Sequence, residues 1–137
     1  MRFTLVESTK LYRGTSLATR AKNNLAGIFF ATTRKEASNF GKVETSNLKD
    51  DAKIYEGINS LAFCEENNLI DKKYDFLGEI FGANSIKDMY EDNRQLFATQ
   101  AVARYELEKQ GYDGAHWQYE DDLIPEQYQV WNYTVLE

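Results

Sequence analysis

The hydrophobic and polar positions in the first part of the chain predict short strands around one short helix. Strand-like runs, rich in β-branched, aromatic or alternating residues, occur at residues 3–6, 10–13, 27–32 and 52–55. Residues 42–48 alternate weakly. Thr33 and Glu36 have the spacing of a capping box, which predicts a helix of about two turns ending at Gly41.

Helical spacing dominates the middle of the chain. An apolar stripe predicts a helix from about Asp92 to Gln110, and Gly111 is suited to end it. The stripe consists of Phe97, Ala98, Ala101, Val102 and Tyr105. Two shorter helices are predicted, at residues 58–67 and 85–90.

The last part of the chain returns to strand patterns. Residues 115–119 and 127–131 predict two strands joined by an acidic loop, and residues 133–136 are expected to extend the second strand. Strands, then helices, then strands are typical of an α+β domain. With no repeat or linker in the pattern, the whole chain, 1–137, is predicted to be a single domain.

Composition and charge exclude several classes of function. The chain has 22 acidic and 16 basic residues and a net charge of −6, which disfavours nucleic acids and anionic membranes as partners. No apolar run is long enough to span a bilayer, so a cytoplasmic protein is expected. One cysteine and one histidine exclude a disulfide framework, a cysteine-based zinc site and a two-histidine metal motif, and no metal site is predicted.

The common catalytic motifs are missing from the sequence. It contains neither the Gly-x-Ser-x-Gly nucleophile elbow nor a Walker-type glycine loop. Cys64 and His116 could formally pair, but Cys64 lies in a helix-like stretch and is expected to be buried and inert. His116, on an alternating strand, is expected to be a partly exposed residue rather than a base.

Two local features could contribute to a ligand site. Arg13 and Gly14 stand at a strand end, where a guanidinium fork can pair with a phosphate or a carboxamide oxygen; the alternative is a surface strand that enters a turn. Phe29 and Phe40 could enclose a flat heteroaromatic ring, or both could belong to the core.

Together these segments resemble the ADP-ribosyltransferase superfamily. Arg13-Gly14-Thr15-Ser16 resembles the motif that opens this fold, and the run from Gly27 to Phe40 resembles the Gly-Ile-Tyr-Phe-Ala … Ser-Ala-Asn-Tyr segment of the poly(ADP-ribose) polymerase type, with phenylalanine in place of both tyrosines. Near the end, residues 111–114 (Gly-Tyr-Asp-Gly) and 127–132 resemble the last strands of small bacterial and phage members, in the family's order.

The resemblance implies a split β-sheet core with a helical insertion, and NAD as co-substrate in a cleft between two small sheets. Carried over by position, Arg13 would contact the ribose or phosphate region, with Thr15 among the NAD-binding residues. The backbone of Gly14 would bond the nicotinamide carboxamide. Phe40 would stack on the nicotinamide ring, and Phe29 would line its other side.

The catalytic acid is where the sequence departs from the family. Gln127 occupies the usual glutamate position, and an amide can position a hydroxyl but carries no negative charge. Glu126 is adjacent, and Glu120 lies nine residues after Gly111, near the place of the acid in some small phage members. Both glutamates are candidates, with Gln127 as a positioning group; the alternative for either acid is a solvated loop residue.

The resemblance therefore implies an NAD-dependent mono-ADP-ribosyltransferase that modifies a protein. A short, acidic chain that begins at its own methionine suits a phage or mobile-element effector, such as an anti-CRISPR or other anti-defence protein. Two alternatives stay open: an NAD glycohydrolase, in which water is the acceptor, and an inactive ADP-ribosyltransferase fold that serves as a binding module.

Overall fold

The computed structural model has an α+β fold built on one mixed sheet. It describes residues 9–14, 26–89, 92–119 and 126–137, and only the backbone at residues 40, 92 and 93. The strands are β1 (Thr9–Gly14), β2 (Ile28–Ala31), β3 (Val43–Leu48), β4 (Ile54–Gly57), β5 (Gly114–Trp117) and β6 (Gln127–Val130). The helices are α1 (Arg34–Ala37), α2 (Ser60–Glu66), α3 (Asp75–Phe81) and α4 (Asp92–Lys109).

The six strands described belong to a single sheet in the order β3-β1-β2-β6-β5-β4. Every pair is antiparallel except β4 and β5, which are parallel. A parallel pair needs a long crossover, and α2, α3 and α4 supply it between β4 and β5. The predicted order of strands, helices and strands is confirmed, whereas the two separate sheets implied by the resemblance are not seen in the described part of the chain.

Local capping signals set the helix ends where the sequence predicts them. The Thr33 side chain accepts a hydrogen bond from the Glu36 backbone N–H at 3.2 Å, and a 3₁₀ turn at residues 38–40 continues α1 to Gly41. At Gly111 φ is +89°, a value that favours glycine and that ends the helical course after α4.

Several sequence-based predictions were wrong. Residues 133–136 do not extend the last strand, because the Asn132 side chain accepts a hydrogen bond from the Thr134 backbone N–H and starts a 3₁₀ turn instead. The helix predicted at residues 85–90 is a single 3₁₀ turn over residues 86–88, and α3 was not predicted. On α4, Ala98, Ala101 and Val102 are buried as expected, but Phe97 and Tyr105 are exposed.

The sheet separates two apolar clusters. Its helix side, the face that carries Ala115, Trp117 and Gln129, packs against α2 and α4. Its far side, the face that carries Leu11, Phe30 and Val130, is packed in part by Val135 and Leu136. The predicted strand at residues 3–6 lies outside the described residues. Within the described residues, no helix is long and apolar enough to cross a membrane.

Gln129 joins the sheet to the helices. Its side chain is fully buried, its Oε1 accepts a hydrogen bond from the Trp117 indole N–H at 2.9 Å, and its Nε2 donates to the carbonyls of Ala26 and Gln100, each at 2.9 Å. The amide therefore connects β6 to β5, to α4 and to Ala26, two residues before β2.

Candidate functional site

One row of side chains crosses the far side of the sheet. Strand pairing sets Glu56 opposite His116, His116 opposite Tyr128, and Tyr128 opposite Phe30. Continuing the β1–β2 register by one residue sets Arg13 opposite Phe30, and Arg13 pairs with Glu44 on β3. Residues directly opposite each other share a face, so these six side chains form a continuous row.

Within this row, His116 contacts two carboxylates. Its Nδ1 lies 2.7 Å from Oε2 of Glu56, and its Nε2 lies 2.7 Å from Oε2 of Glu126. The Gln118 side chain donates a second hydrogen bond to the same Glu56 oxygen at 2.7 Å. The ring of Tyr128 stacks on the imidazole with a centroid separation of 4.2 Å and an interplanar angle of 5°.

The surroundings of His116 hold the ring in one orientation. The His116 side chain is 13% exposed, whereas the flanking carboxylates of Glu56 and Glu126 are 57% and 43% exposed. A neutral imidazole carries one N–H, so only the imidazolium form can donate to both carboxylates.

Burial, together with the negative charges of Glu56 and Glu126, raises the pKa of Tyr128, which therefore remains a neutral phenol at physiological pH.

Arg13 lies in the same row, and the described residues leave part of its hydrogen-bonding capacity unused. Its Nε is buried and has no hydrogen-bond partner among the described residues. A buried, unpaired N–H is costly, so an acceptor is favoured at this point of the molecule. A guanidinium on a sheet face offers a fork that fits a phosphate or a carboxylate.

The structure separates the neighbouring candidates Glu126 and Gln127. Glu126 comes directly before β6 and contacts His116 on the far side, the face that carries Arg13. Gln127 pairs with Trp117 and lies on the helix side, where its Oε1 accepts a hydrogen bond from the Tyr119 hydroxyl at 3.2 Å. Of the two, only Glu126 shares a face with Arg13.

The other predicted residues are distributed as follows. Gly14 ends β1, next to Arg13. Phe29 pairs with Gln129 and so lies on the helix side, away from Arg13. Phe40 ends the 3₁₀ turn after α1, and the structure describes only its backbone, so its stacking role stays a prediction. Thr15 and Glu120 lie outside the described residues, so their assigned roles stay predictions.

Sequence reasoning missed His116 and Glu56. His116 was not predicted to be a functional residue, and Glu56 is 60 residues away in the chain. A signal did exist for the contact with Glu126. If the two predicted strands are paired as an antiparallel hairpin with His116 opposite Tyr128, Glu126, which precedes Tyr128 by two residues, lies on the same face.

Cys64 behaves as the sequence predicts. It is fully buried on α2, and burial, followed by the charges of Glu106 and Glu65, raises the pKa of its thiol to about 12. A thiol with so high a pKa is a poor nucleophile. Among the described residues no group of three or more His, Cys, Asp or Glu side chains is arranged to hold a metal ion.

Comparisons with known proteins add little. No protein-family model matches the sequence, and no curated protein gives a significant match. A solved structure, described as the crystal structure of an anti-CRISPR protein, is similar to 92% of this chain and 91% of its own, with 16% sequence identity and a TM-score of 0.46. At that score and identity the similarity establishes neither a common fold nor a common function.

Proposed function

We propose that the protein cleaves NAD between ribose and nicotinamide and transfers the ADP-ribosyl group to a side chain of another protein. One observation carries this proposal. The segments that resemble ADP-ribosyltransferases are far apart in the sequence, yet they form or flank β1, β2, β6 and β5, which are adjacent in the sheet. Arg13 from the first segment and Glu126 beside the last lie on the same face.

Glu126 is the residue suited to the chemical step. When the bond from ribose C1′ to the nicotinamide nitrogen breaks, its electron pair leaves with nicotinamide, and positive charge develops on the ribose. A nearby carboxylate stabilises that charge. A lone pair of the acceptor atom forms the new bond to C1′, and the acceptor's proton is released to a base, for which the Glu126 carboxylate is available. Gln127, an amide on the opposite face, is not suited to either task.

Arg13 is the residue suited to binding. Its buried Nε, which no described residue pairs with, and its fork of donors fit an anionic group such as the pyrophosphate of NAD. The net charge of −6 disfavours a polyanion as acceptor and agrees with a protein acceptor. The stacking role of Phe40 and a biological role against bacterial defence remain predictions.

A second candidate function is binding without turnover. It is favoured by Gln127, which stands where the family has its catalytic glutamate and which faces the helix side. Hydrolysis of NAD by water is a variant of the first proposal, since bond cleavage is the same and only the acceptor differs.

The decisive experiment follows nicotinamide release and label transfer together. The protein is incubated with NAD labelled in the adenylate half, with and without a bacterial lysate. We expect nicotinamide release and transfer of label to protein in the presence of the lysate. Nicotinamide without labelled protein indicates hydrolysis, and NAD binding without nicotinamide indicates a binding module.

Matched carboxylate variants test the assignment of Glu126. Glu126→Gln should lower turnover by about 100-fold or more, because the charge is lost while the shape is kept. The same change at Glu79, an exposed glutamate on α3, should have no effect. If Glu120→Gln abolishes turnover and Glu126→Gln does not, Glu126 is not the acid.

A further inference from the structure

We infer that Glu56 and His116 are positioning residues that hold the Glu126 carboxylate in its reactive orientation, a role that rests on the proposed function. The supporting observation is a continuous chain of contacts from Gln118 to Glu56, from Glu56 to His116 and from His116 to Glu126, each at 2.7 Å. Its members come from β4, β5 and the residues beside β5 and β6, so tertiary structure alone brings them together.

Glu126 needs such support because of where it lies. It stands just before β6 with its side chain 43% exposed, and an exposed glutamate samples several rotamers. The contact with Nε2 of His116 engages Oε2, and no described residue bonds Oε1, which is thus available to a hydroxyl of the ribose or of the acceptor. A carboxylate held in advance stabilises developing charge without a reorganisation cost.

His116 can hold Glu126 because the ring itself cannot turn. Stacking on Tyr128 fixes the plane of the ring, and the contact between Nδ1 and Glu56 fixes its rotation within that plane. A carboxylate on the second nitrogen of a functional histidine commonly serves to orient the ring. Without Glu56, rotation of the ring about its bond to Cβ would break only one remaining hydrogen bond.

Stability alone does not account for this arrangement. Exposed ion pairs contribute little to the free energy of unfolding, and Glu56 is more than half exposed. Loss of Glu56 should therefore leave the fold nearly unchanged, whereas a small misorientation of a reacting group can lower a rate substantially.

The test compares the steady-state kinetics of Glu56→Gln, His116→Gln and the control Glu79→Gln, measured as nicotinamide release from NAD in the mixture that supports wild-type turnover. We expect Glu56→Gln and His116→Gln to lower kcat by about 10- to 100-fold, with KM for NAD changed less than about threefold. Glu79→Gln should match the wild type. Melting temperatures verify that each variant is folded.

A spectroscopic measurement reports the same contacts without turnover. His116 is the only histidine in the chain, so every imidazole ¹⁵N signal in an NMR spectrum of the labelled protein belongs to it. Glu56→Gln should shift the Nδ1 resonance and Glu126→Gln the Nε2 resonance, while Glu79→Gln should shift neither.

The outcomes separate the inference from the proposed function. If the wild type cleaves NAD but Glu56→Gln and His116→Gln retain full kcat, the positioning role is wrong and the proposed function stands. Unshifted imidazole signals in Glu56→Gln also overturn the positioning role. If the wild type releases no nicotinamide under any condition, the proposed function fails, and the positioning role fails with it.

Discussion

The buried amide of Gln129 allows a quantitative test of what fixes the sheet to the helices. Gln129→Met keeps the length of the side chain and its unbranched shape, but its thioether cannot donate a hydrogen bond and is only a weak acceptor. The substitution leaves the Trp117 indole N–H and the Ala26 carbonyl without the partners they have in the structure, while the Gln100 carbonyl can still accept a bond within α4. Two buried polar groups thus lose their partners.

The size of the effect follows from these two groups. An unsatisfied buried donor or acceptor costs about 1–3 kcal/mol, and burying a thioether instead of an amide recovers part of that cost. We expect Gln129→Met to lower the free energy of unfolding by about 2–4 kcal/mol. With a urea m-value of about 2 kcal/mol/M, the unfolding midpoint should fall by about 1–2 M.

The assay is urea unfolding followed by far-UV circular dichroism, with Gln110→Met as the matched control. Gln110 is exposed after α4, so the same substitution there should leave the midpoint unchanged. Gln129→Glu should destabilise at least as strongly at neutral pH, because a carboxylate would face two carbonyl oxygens. A midpoint for Gln129→Met equal to that of the wild type would refute the reasoning.

Three further predictions concern other parts of the molecule. Arg13→Ala should abolish NAD binding in calorimetry, whereas Arg34→Ala, which removes an exposed arginine, should not; an unchanged Kd for Arg13→Ala would contradict its role. Burial opposes ionisation of Glu106, but hydrogen bonds from Lys72, Tyr74 and Lys109 outweigh it and lower the pKa of Glu106 to about 2. The ionised carboxylate therefore stabilises the fold above pH 4.5. As the pH falls towards 2, the free energy of unfolding should decrease by at most about 3 kcal/mol on account of this group. The same decrease should be absent when Glu106→Gln is unfolded over the same pH range. The Cys64 thiol, whose pKa burial raises to about 12, should react with a thiol reagent only after urea unfolds the protein, and rapid labelling of the native protein would show that it is accessible.

The parts of the fold that the sequence predicts are those set by neighbouring residues. The hydroxyl of Thr33 and the glycines at 41 and 111 fix helix ends through contacts within a few residues, so the pattern alone locates them. By contrast, α3 begins at Asp75, and the side chain of the preceding Tyr74 makes no capping hydrogen bond, so the usual start signal is missing.

The candidate site was only partly predictable, because its contacts are long-range. Arg13 and Glu126 could be proposed from the segments that carry them, but nothing local shows which of Glu126 and Gln127 shares a face with Arg13. Their separation requires the register of the hairpin formed by β5 and β6, and the partner Glu56 requires the parallel pairing of β4 and β5 across the helical insertion.

The register of the β5–β6 hairpin connects the buried core on one face of the sheet to the candidate site on the other. Along this hairpin, side chains alternate between the helix side, with Trp117 and Gln129, and the far side, with His116 and Tyr128. A slip of one residue would send His116 into the helices and expose the indole of Trp117. The same one-residue slip would place Trp117 and Gln129 on opposite faces and break their hydrogen bond, so a buried contact on one face helps to set the geometry of the His116–Glu126 pair on the other. Loss of the Gln129 amide should therefore disturb the imidazole signals of His116, although the two side chains lie on opposite faces of the sheet.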